Sequence, residues 1–409
     1  MALILGIVLS GNGCAGDRTE PEPQQTTETP NIETTGRTDF AFDLYRAVVK
    51  DKPDENIAIS PYGAEQVLDL ARAGAVGETE TEIGRVLAKT GVAGLNVLPP
   101  DAPLTTAVAL WLQAGHPILP EFLTTAREEF GASVEHVDFF GNPDEAVQRI
   151  NAWYSEQTKE KIPTLFDSLG ETTRVVLAGA IHFAADWKTP FNKDATLDGS
   201  FTLQDGTKMT TKIMSRTGLM QYGETDDTLA LQLPYKNDGY AMLLLLPRDA
   251  AGFTEWESAM TPEIWDDLRT AMKPEQVDLR MPRFTMESNF LLNEPLKQLG
   301  MPTAFSRDAD FSKIDGLTDL YLSEVRQKVF VKVDETGTEA AAATGAVMAV
   351  KSMPINVRPF YADRPFLYAI VKEDTILFLG RFMKPDAATP ETATPTVDPD
   401  LDGEGGAFN

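Results

Sequence analysis

Cysteine is almost absent from this chain: Cys14 is the only one in 409 residues, so neither an intramolecular disulfide nor a cysteine-based zinc site can form. Histidine is nearly as scarce. His116, His136 and His182 have no second His or Cys at ligand spacing, and each reads as a structural side chain, with no metal expected. Positive charge is also in deficit: 36 Lys and Arg face 62 Asp and Glu, a formal net charge of -26 that repels phosphate backbones and anionic lipid surfaces. Nucleic-acid and polybasic membrane binding are poor readings of such a chain.

Catalytic signatures are missing as well. There is no Gly-rich phosphate loop, no Gly-x-Ser-x-Gly elbow and no Ser-x-x-Lys with a partner set. Carboxylates are so numerous that any pair could be nominated as acid and base, which deprives each nomination of weight. The apolar run Met1 to Ser10 is too short to span a bilayer as a helix and looks like the apolar part of an export signal, although no positive segment precedes it. Cys14 resembles a bacterial lipoprotein acceptor, with Gly11 where that motif prefers Leu. The expected location is extracellular or at the cell surface, by secretion or by a lipid on Cys14.

What is present is globular: 42% hydrophobic and 24% charged residues. Residues 15–37 are rich in Thr, Pro and Glu, and residues 386–409 carry six acids and no base. Both read as disordered tails, the first as a tether following the signal segment 1–14. Residues 38–385 contain no internal repeat and no linker-like break, and read as one domain.

Ser60-Pro61 reads as a helix start, Ser as N-cap and Pro in the first turn, with Gly74 placed to end it. Thr79 with Glu82 reads as a capping box ahead of Ile83, Val86 and Leu87, and Asn142-Pro143 as the start of a helix with Val147, Ile150 and Tyr154 on its apolar face. Helices are expected to dominate up to about residue 170. From Arg174 the pattern turns to strands, at 175–183, 229–233, 240–246, 277–281, 329–333, 366–371 and 375–382. Several are apolar on both faces, which predicts a large sheet at the centre of the fold, covered on each side. Helices followed by strands favour an α+β fold over an alternating order.

One segment carries more than structure. Phe330 to Val333 reads as a strand running into Asp334-Glu335-Thr336-Gly337-Thr338-Glu339-Ala340-Ala341-Ala342-Ala343-Thr344-Gly345. Alanine favours helix, but Gly337 and Gly345 interrupt the run and no stripe of period 3.6 would dock a helix. With period 2, Thr338, Ala340, Ala342, Thr344, Ala346, Met348 and Val350 share one uncharged face, while Glu339 and Lys351 fall on the other. Such a segment makes a poor strand until a sheet receives it.

At this point the chain resembles the serpin family, over nearly all of residues 38–385. The resemblance rests on Asn56-Ile57-Ala58-Ile59-Ser60-Pro61, Asn151-Ala152-Trp153 running to Lys161-Ile162-Pro163, Asp186-Trp187-Lys188-Thr189-Pro190-Phe191, Leu233-Pro234-Tyr235-Lys236, and Leu299-Gly300-Met301 with Ala304-Phe305-Ser306. The segment Glu335 to Thr344 and the closing stretches Ala362-Asp363-Arg364-Pro365-Phe366 and Phe378-Leu379-Gly380-Arg381 are its most specific marks.

The resemblance implies an α+β serpin fold with a large central β-sheet, additional sheets, about eight helices mostly in the N-terminal half, and an exposed reactive-centre loop near 337–364. It implies a monomeric inhibitor without cofactor, not an enzyme. Its partner would be a serine protease held as a covalent acyl-enzyme, with cysteine proteases as a second target class. After attack on the loop, the hinge, comprising Glu335, Gly337, Thr338, Glu339, Ala340, Ala341, Ala342, Ala343 and Thr344, inserts as a new strand. In the family's register the seventeenth residue from Glu335 is Lys351, so the reactive bond is read as Lys351-Ser352. Lysine there suits a trypsin-like protease, whose specificity pocket holds a carboxylate. Met348, Val350 or Met353 would instead suit a chymotrypsin-like or subtilisin-like protease. The alternative is a non-inhibitory serpin acting as a binding or chaperone-like protein, which the small uncharged hinge face disfavours; a hydrolase is a distant third.

The chain also departs from the family. Of the sheet-opening residues Ser60, Pro61, Gly63, Gly179, Trp187 and Gln327, Gly63 stands where a second Ser is usual, Gly179 where Asn is usual and Gln327 where His is usual. Losing partners together costs less than orphaning one, so the fold need not suffer. Between Lys89 and Leu104 there is only a Gly/Pro-containing connection where many relatives carry a helix used for glycosaminoglycan activation. With that helix short or absent, no heparin-type cofactor is expected.

Overall fold

The computed structural model describes residues 32–87, 102–170, 173–338 and 356–386. The chain runs through α1 (Ile32–Val49), β1 (Ile57–Ile59), α2 (Pro61–Gly74), α3 (Gly77–Leu87), β2 (Leu104–Gln113), α4 (Pro120–Glu128), β3 (Ser133–Val137), α5 (Pro143–Gln157), β4 (Val175–Phe183) and β5 (Ala185–Asp186). It continues through β6 (Leu197–Thr202), β7 (Lys208–Glu224), β8 (Thr228–Pro234), β9 (Tyr240–Pro247), α6 (Phe253–Ala259), α7 (Pro262–Ala271), β10 (Lys273–Pro282) and β11 (Phe284–Leu291). The last elements are α8 (Asn293–Gln298), α9 (Ser312–Asp315), β12 (Glu324–Val333), β13 (Gly337–Thr338), β14 (Arg358–Tyr361), β15 (Phe366–Lys372) and β16 (Thr375–Phe382).

Two sheets organise these elements. A nine-stranded sheet has the order β1-β16-β15-β9-β8-β7-β10-β14 with β6 paired to β7, and a seven-stranded sheet the order β3-β2-β4-β12-β13-β5 with β11 paired to β12. Every residue of β4 is buried, because the strand is covered on both sides. Val176, Ala178 and Ala180 pack with Val147, Ile150 and Tyr154 of α5, while Val175 and Leu177 lie in the same cluster as Val67 and Leu68 of α2. That two-sided cover is the physical origin of the apolar run in the sequence. The α+β class stands, with nine α-helices among the described residues, five of them before β4.

The local signals for helix starts held in part. Ser60 caps α2, its Oγ accepting from Gly63 N at 3.0 Å, with Pro61 in the first turn. Asn142 opens α5 without a side-chain bond to the helix backbone; its amide donates to Glu145 instead. The proposed Thr79/Glu82 capping box is not formed, because α3 begins earlier, at Gly77, where φ is +60°. Thr79 Oγ1 accepts from Asp310 N at 3.0 Å, and Glu82 accepts from Thr303 N and Thr303 Oγ1, each at 2.9 Å. Both side chains are spent on distant backbone. Two further differences concern the N-terminal part: β2 and β3 lie within the stretch expected to be mainly helical, and α1 begins at Ile32, so the tether boundary at residue 37 falls inside a helix.

The C-terminal strand is anchored by a buried charged node. Arg381, 2% exposed, donates from Nη1 to Glu257 Oε2 at 2.7 Å and from Nε to the Glu55 carbonyl at 3.0 Å, while Tyr45 Oη donates to Glu257 Oε1 at 2.5 Å. Burial pushes the Glu257 carboxyl above its ordinary range despite the guanidinium beside it.

Candidate functional site

The ends of β4 and β12 define the site. Val176 to His182 of β4 pair in parallel with Glu324 to Phe330 of β12, so over this length the two strands are direct neighbours. Beyond it β13 lies between β12 and β5. Thr338 pairs with Val333 of β12 and with Ala185 of β5, and Gly337 pairs with Asp186, antiparallel on both sides. The chain reaches this position through a tight turn, in which Asp334 N donates to Gly337 O at 2.9 Å and Asp334 Oδ1 accepts from Thr336 N at 2.8 Å. A Cβ on Gly337 would stand 2.1 Å from Ala185 O and 2.7 Å from Asp186 Cα, so only glycine permits this approach of two backbones.

Trp187 clasps the turn. Its backbone N donates to Thr336 O at 2.8 Å and its indole Nε1 to Asp334 O at 2.9 Å, and Phe191 N donates to Glu335 O at 2.8 Å. The Trp187 ring is stacked on Tyr235 at 4.5 Å between centroids, with 10° between the planes. Thr338, fully buried, shares a hydrogen bond with Tyr235 between the two hydroxyl oxygens at 2.7 Å. Burial pushes the Tyr235 phenol far above its ordinary range, which keeps it neutral. At the rim, Lys236 Nζ meets Asp186 Oδ2 at 2.5 Å.

Lower in the same sheet lies the second group. Gln327 of β12 stands directly opposite Gly179 of β4. Its side-chain Oε1 accepts from Ser60 N at 2.9 Å and its Nε2 donates to Ser60 O at 2.7 Å, so one amide closes both polar groups of that buried residue. Ser60 Oγ in turn donates to Leu377 O at 2.6 Å. A Cβ on Gly179 would come 2.8 Å from Val67 Cγ2, and one on Gly63 3.2 Å from Ser60 Oγ. Gln327 is therefore engaged through both ends of its amide, and helix α2 occupies the space that a larger residue at 179 would need.

The sequence-derived residues thus fall into two groups on one sheet. Trp187, Glu335, Gly337 and Thr338 meet at its head, and Ser60, Pro61, Gly63, Gly179 and Gln327 meet lower down, between the sheet and the start of α2. Glu339, Ala340, Ala341, Ala342, Ala343, Thr344, Lys351, Ser352 and Cys14 lie outside the described residues. So does the connection 88–101. Tyr235 lies in the Leu233-Pro234-Tyr235-Lys236 stretch, which by itself points to no role; its partner Thr338 is 103 positions away, and no local pattern signals such a contact.

Among the described residues, one His groups with carboxylates at ligand-like spacing: His116 with Asp315 and Asp319. His116 Nε2 and Asp315 Oδ2 are 2.6 Å apart, a direct hydrogen bond that joins the β2–α4 connection to the end of α9.

The family profile described as Serpin (serine protease inhibitor) matches residues 35–385. A leukocyte elastase inhibitor of Bos taurus is 37% identical over 373 residues, which cover 85% of this chain and 98% of that protein. A serpin-like protein of Thermococcus kodakarensis is 34% identical, covering 85% of this chain and 84% of its own length. Among solved structures, Serpin48 of the insect Tenebrio molitor superposes with a TM-score of 0.79 at 31% identity, over 88% of this chain and 100% of that one. The chain belongs to the serpin family, and so to the protein inhibitors of proteases rather than to enzymes.

Proposed function

We propose that this serpin inhibits serine proteases as a suicide substrate, trapping the acyl-enzyme by inserting its cleaved loop between β4 and β12. The observation that carries this reading is the seating of Thr338. The hinge turn is already made, and its first strand residues already pair antiparallel to both neighbours.

Extending that pairing downward is arithmetic. On the β12 side, partners follow from Thr338 opposite Val333, which brings Ala340 opposite Val331, Ala342 opposite Val329 and Thr344 opposite Gln327. On the other side, extending from Thr338 opposite Ala185 brings Thr344 opposite Gly179. Gly179 and Gln327 are already partners across the closed sheet, so the two registers agree. Val325, Gln327, Val329, Val331 and Val333 are buried, so Thr338, Ala340, Ala342 and Thr344 would turn inward with them, and Glu339 would turn outward opposite Lys332. Such a cross-strand pair contributes about 0.2–1 kcal/mol.

The bait bond in this reading is Lys351-Ser352, presented to a trypsin-like protease. The protease serine oxygen attacks the Lys351 carbonyl carbon, the bond to Ser352 breaks, and the new amino terminus leaves with a proton, giving an ester. Fourteen extended residues span about 48 Å at roughly 3.4 Å each, enough to carry the attached protease across the molecule. Distortion of its active site then slows deacylation about tenfold for each 1.4 kcal/mol of lost transition-state stabilisation. The test is incubation with a panel of serine and cysteine proteases, scored for an SDS-resistant complex and for the N-terminus of the released peptide. A trypsin-like complex with a new N-terminus at Ser352 is expected; cleavage without any complex would refute inhibition by trapping.

A further inference from the structure

In a chain of formal net charge -26, four cations converge on one cleft. The cleft, of about 700 Å³, is lined by Lys193, Lys212, Arg283 and Lys332, together with Asp334 and Glu335 of the hinge turn and with Asp386. Lys212 is paired with Asp198 at 2.9 Å and Lys332 with Asp334 at 3.5 Å, whereas no described carboxylate forms an ion pair with Lys193 or Arg283. The wall also holds Thr196, whose hydroxyl oxygen is buried without a hydrogen-bond partner. The site is thus set up to receive an anionic occupant with acceptor atoms.

Asp386 is the last described residue, and the chain that follows it, residues 387–409, carries Glu391, Asp398, Asp400, Asp402 and Glu404 with no Lys or Arg. We propose that this acidic C-terminal segment docks in the cleft and bridges Lys193 and Arg283 to the end of β12. Three observations name this occupant over others: complementary charge, a starting point already in the cleft wall, and reach. Glu391 is five residues beyond Asp386, up to about 17 Å of extended chain. Tethering at so short a distance gives an effective concentration on the order of millimolar, so several weak, screened ion pairs suffice to hold the segment. Glu335 belongs to the turn that leads into β13, and its carbonyl receives Phe191 N. The docked segment therefore lies against the turn that leads into β13.

The full chain can be tested directly. It is treated with a water-soluble carbodiimide at low salt, digested, and searched for amide cross-links between the carboxylates of 387–409 and individual lysines. Links to Lys193 and Lys332 are expected, with little at Lys313, which lies on α9 and pairs with Glu80. They should fall about fivefold in Arg283→Glu, the weight of one exposed ion pair, and fall also in 0.5 M salt. Arg283 is exposed, so the variant should fold, and an unchanged melting profile would verify that. Equal linkage to Lys313, or yields that Arg283→Glu leaves unchanged, would overturn the proposal. So would an absence of links while millimolar inorganic pyrophosphate shields Lys193 and Lys332 from acetylation, which would assign the cleft to a free anion.

Discussion

The hydroxyls of Tyr235 and Thr338 lie 2.7 Å apart in the core of the molecule, where the hinge enters the sheet between β5 and β12. Thr338 fills a place that admits a small side chain with one hydrogen-bonding group. Thr338→Arg would require a cation to be buried there without a partner, at a cost of several kcal/mol that unseats residue 338 in the intact chain, so insertion has to start from further back. Proteolysis of the loop needs only its exposure, so the variant should behave as a substrate. More inhibitor should be consumed per protease inactivated, and covalent complex on a denaturing gel should fade. Unchanged stoichiometry would mean that hinge entry is not the trapping step.

The Gln327 amide ties β12 to the β1–α2 junction through both backbone groups of Ser60. In Gln327→Ala the buried Ser60 N–H loses its acceptor, at about 1–3 kcal/mol, while Ser60 O keeps its bond from Ala64 N at 3.0 Å. The intact protein should unfold at lower urea with an unaltered slope. A midpoint equal to that of the parent would show that water replaces the amide without loss.

Gly179→Asn restores the residue usual in the family and should nevertheless destabilise this chain by about 1–3 kcal/mol, because its Cβ would press on Val67 Cγ2 at 2.8 Å. Val67→Ala made in the same chain should recover part of that loss. A double-mutant cycle without coupling would separate the two positions.

Lys351→Glu places a negative charge where a trypsin-like pocket also carries one. Inhibition of trypsin-like proteases should vanish, while cleavage elsewhere in the loop should still alter thermal stability. Retained trypsin inhibition would move the reactive bond to another residue, Met348, Val350 and Met353 being the nearest candidates.

Burial decided how legible the fold was. β4 and β16 could be read to the residue because almost all of their positions are buried, which leaves a continuous apolar run. The long β7, Lys208–Glu224, escaped notice because most of its positions are exposed or half-exposed and no alternation marks a core face. Thr79 and Glu82 misled because their partners, Asp310 and Thr303, are far along the chain. Of the inward hinge face that the period of two predicts, only Thr338 lies among the described residues, and it is buried. That Tyr235 receives it, and that Gln327 closes on Ser60 rather than standing unpaired, depend on contacts between distant segments that no window of sequence contains.

In the trapping mechanism proposed above, the best sheet of this molecule is completed only when the loop enters it. Thermal unfolding of the intact chain, compared with that of the chain cut within 345–356, tests it most directly. A strand inserted between β4 and β12 adds on the order of ten net hydrogen bonds at about 1 kcal/mol each, so the cut form should melt at least about 10 °C higher. Coincident melting of the two forms would contradict insertion.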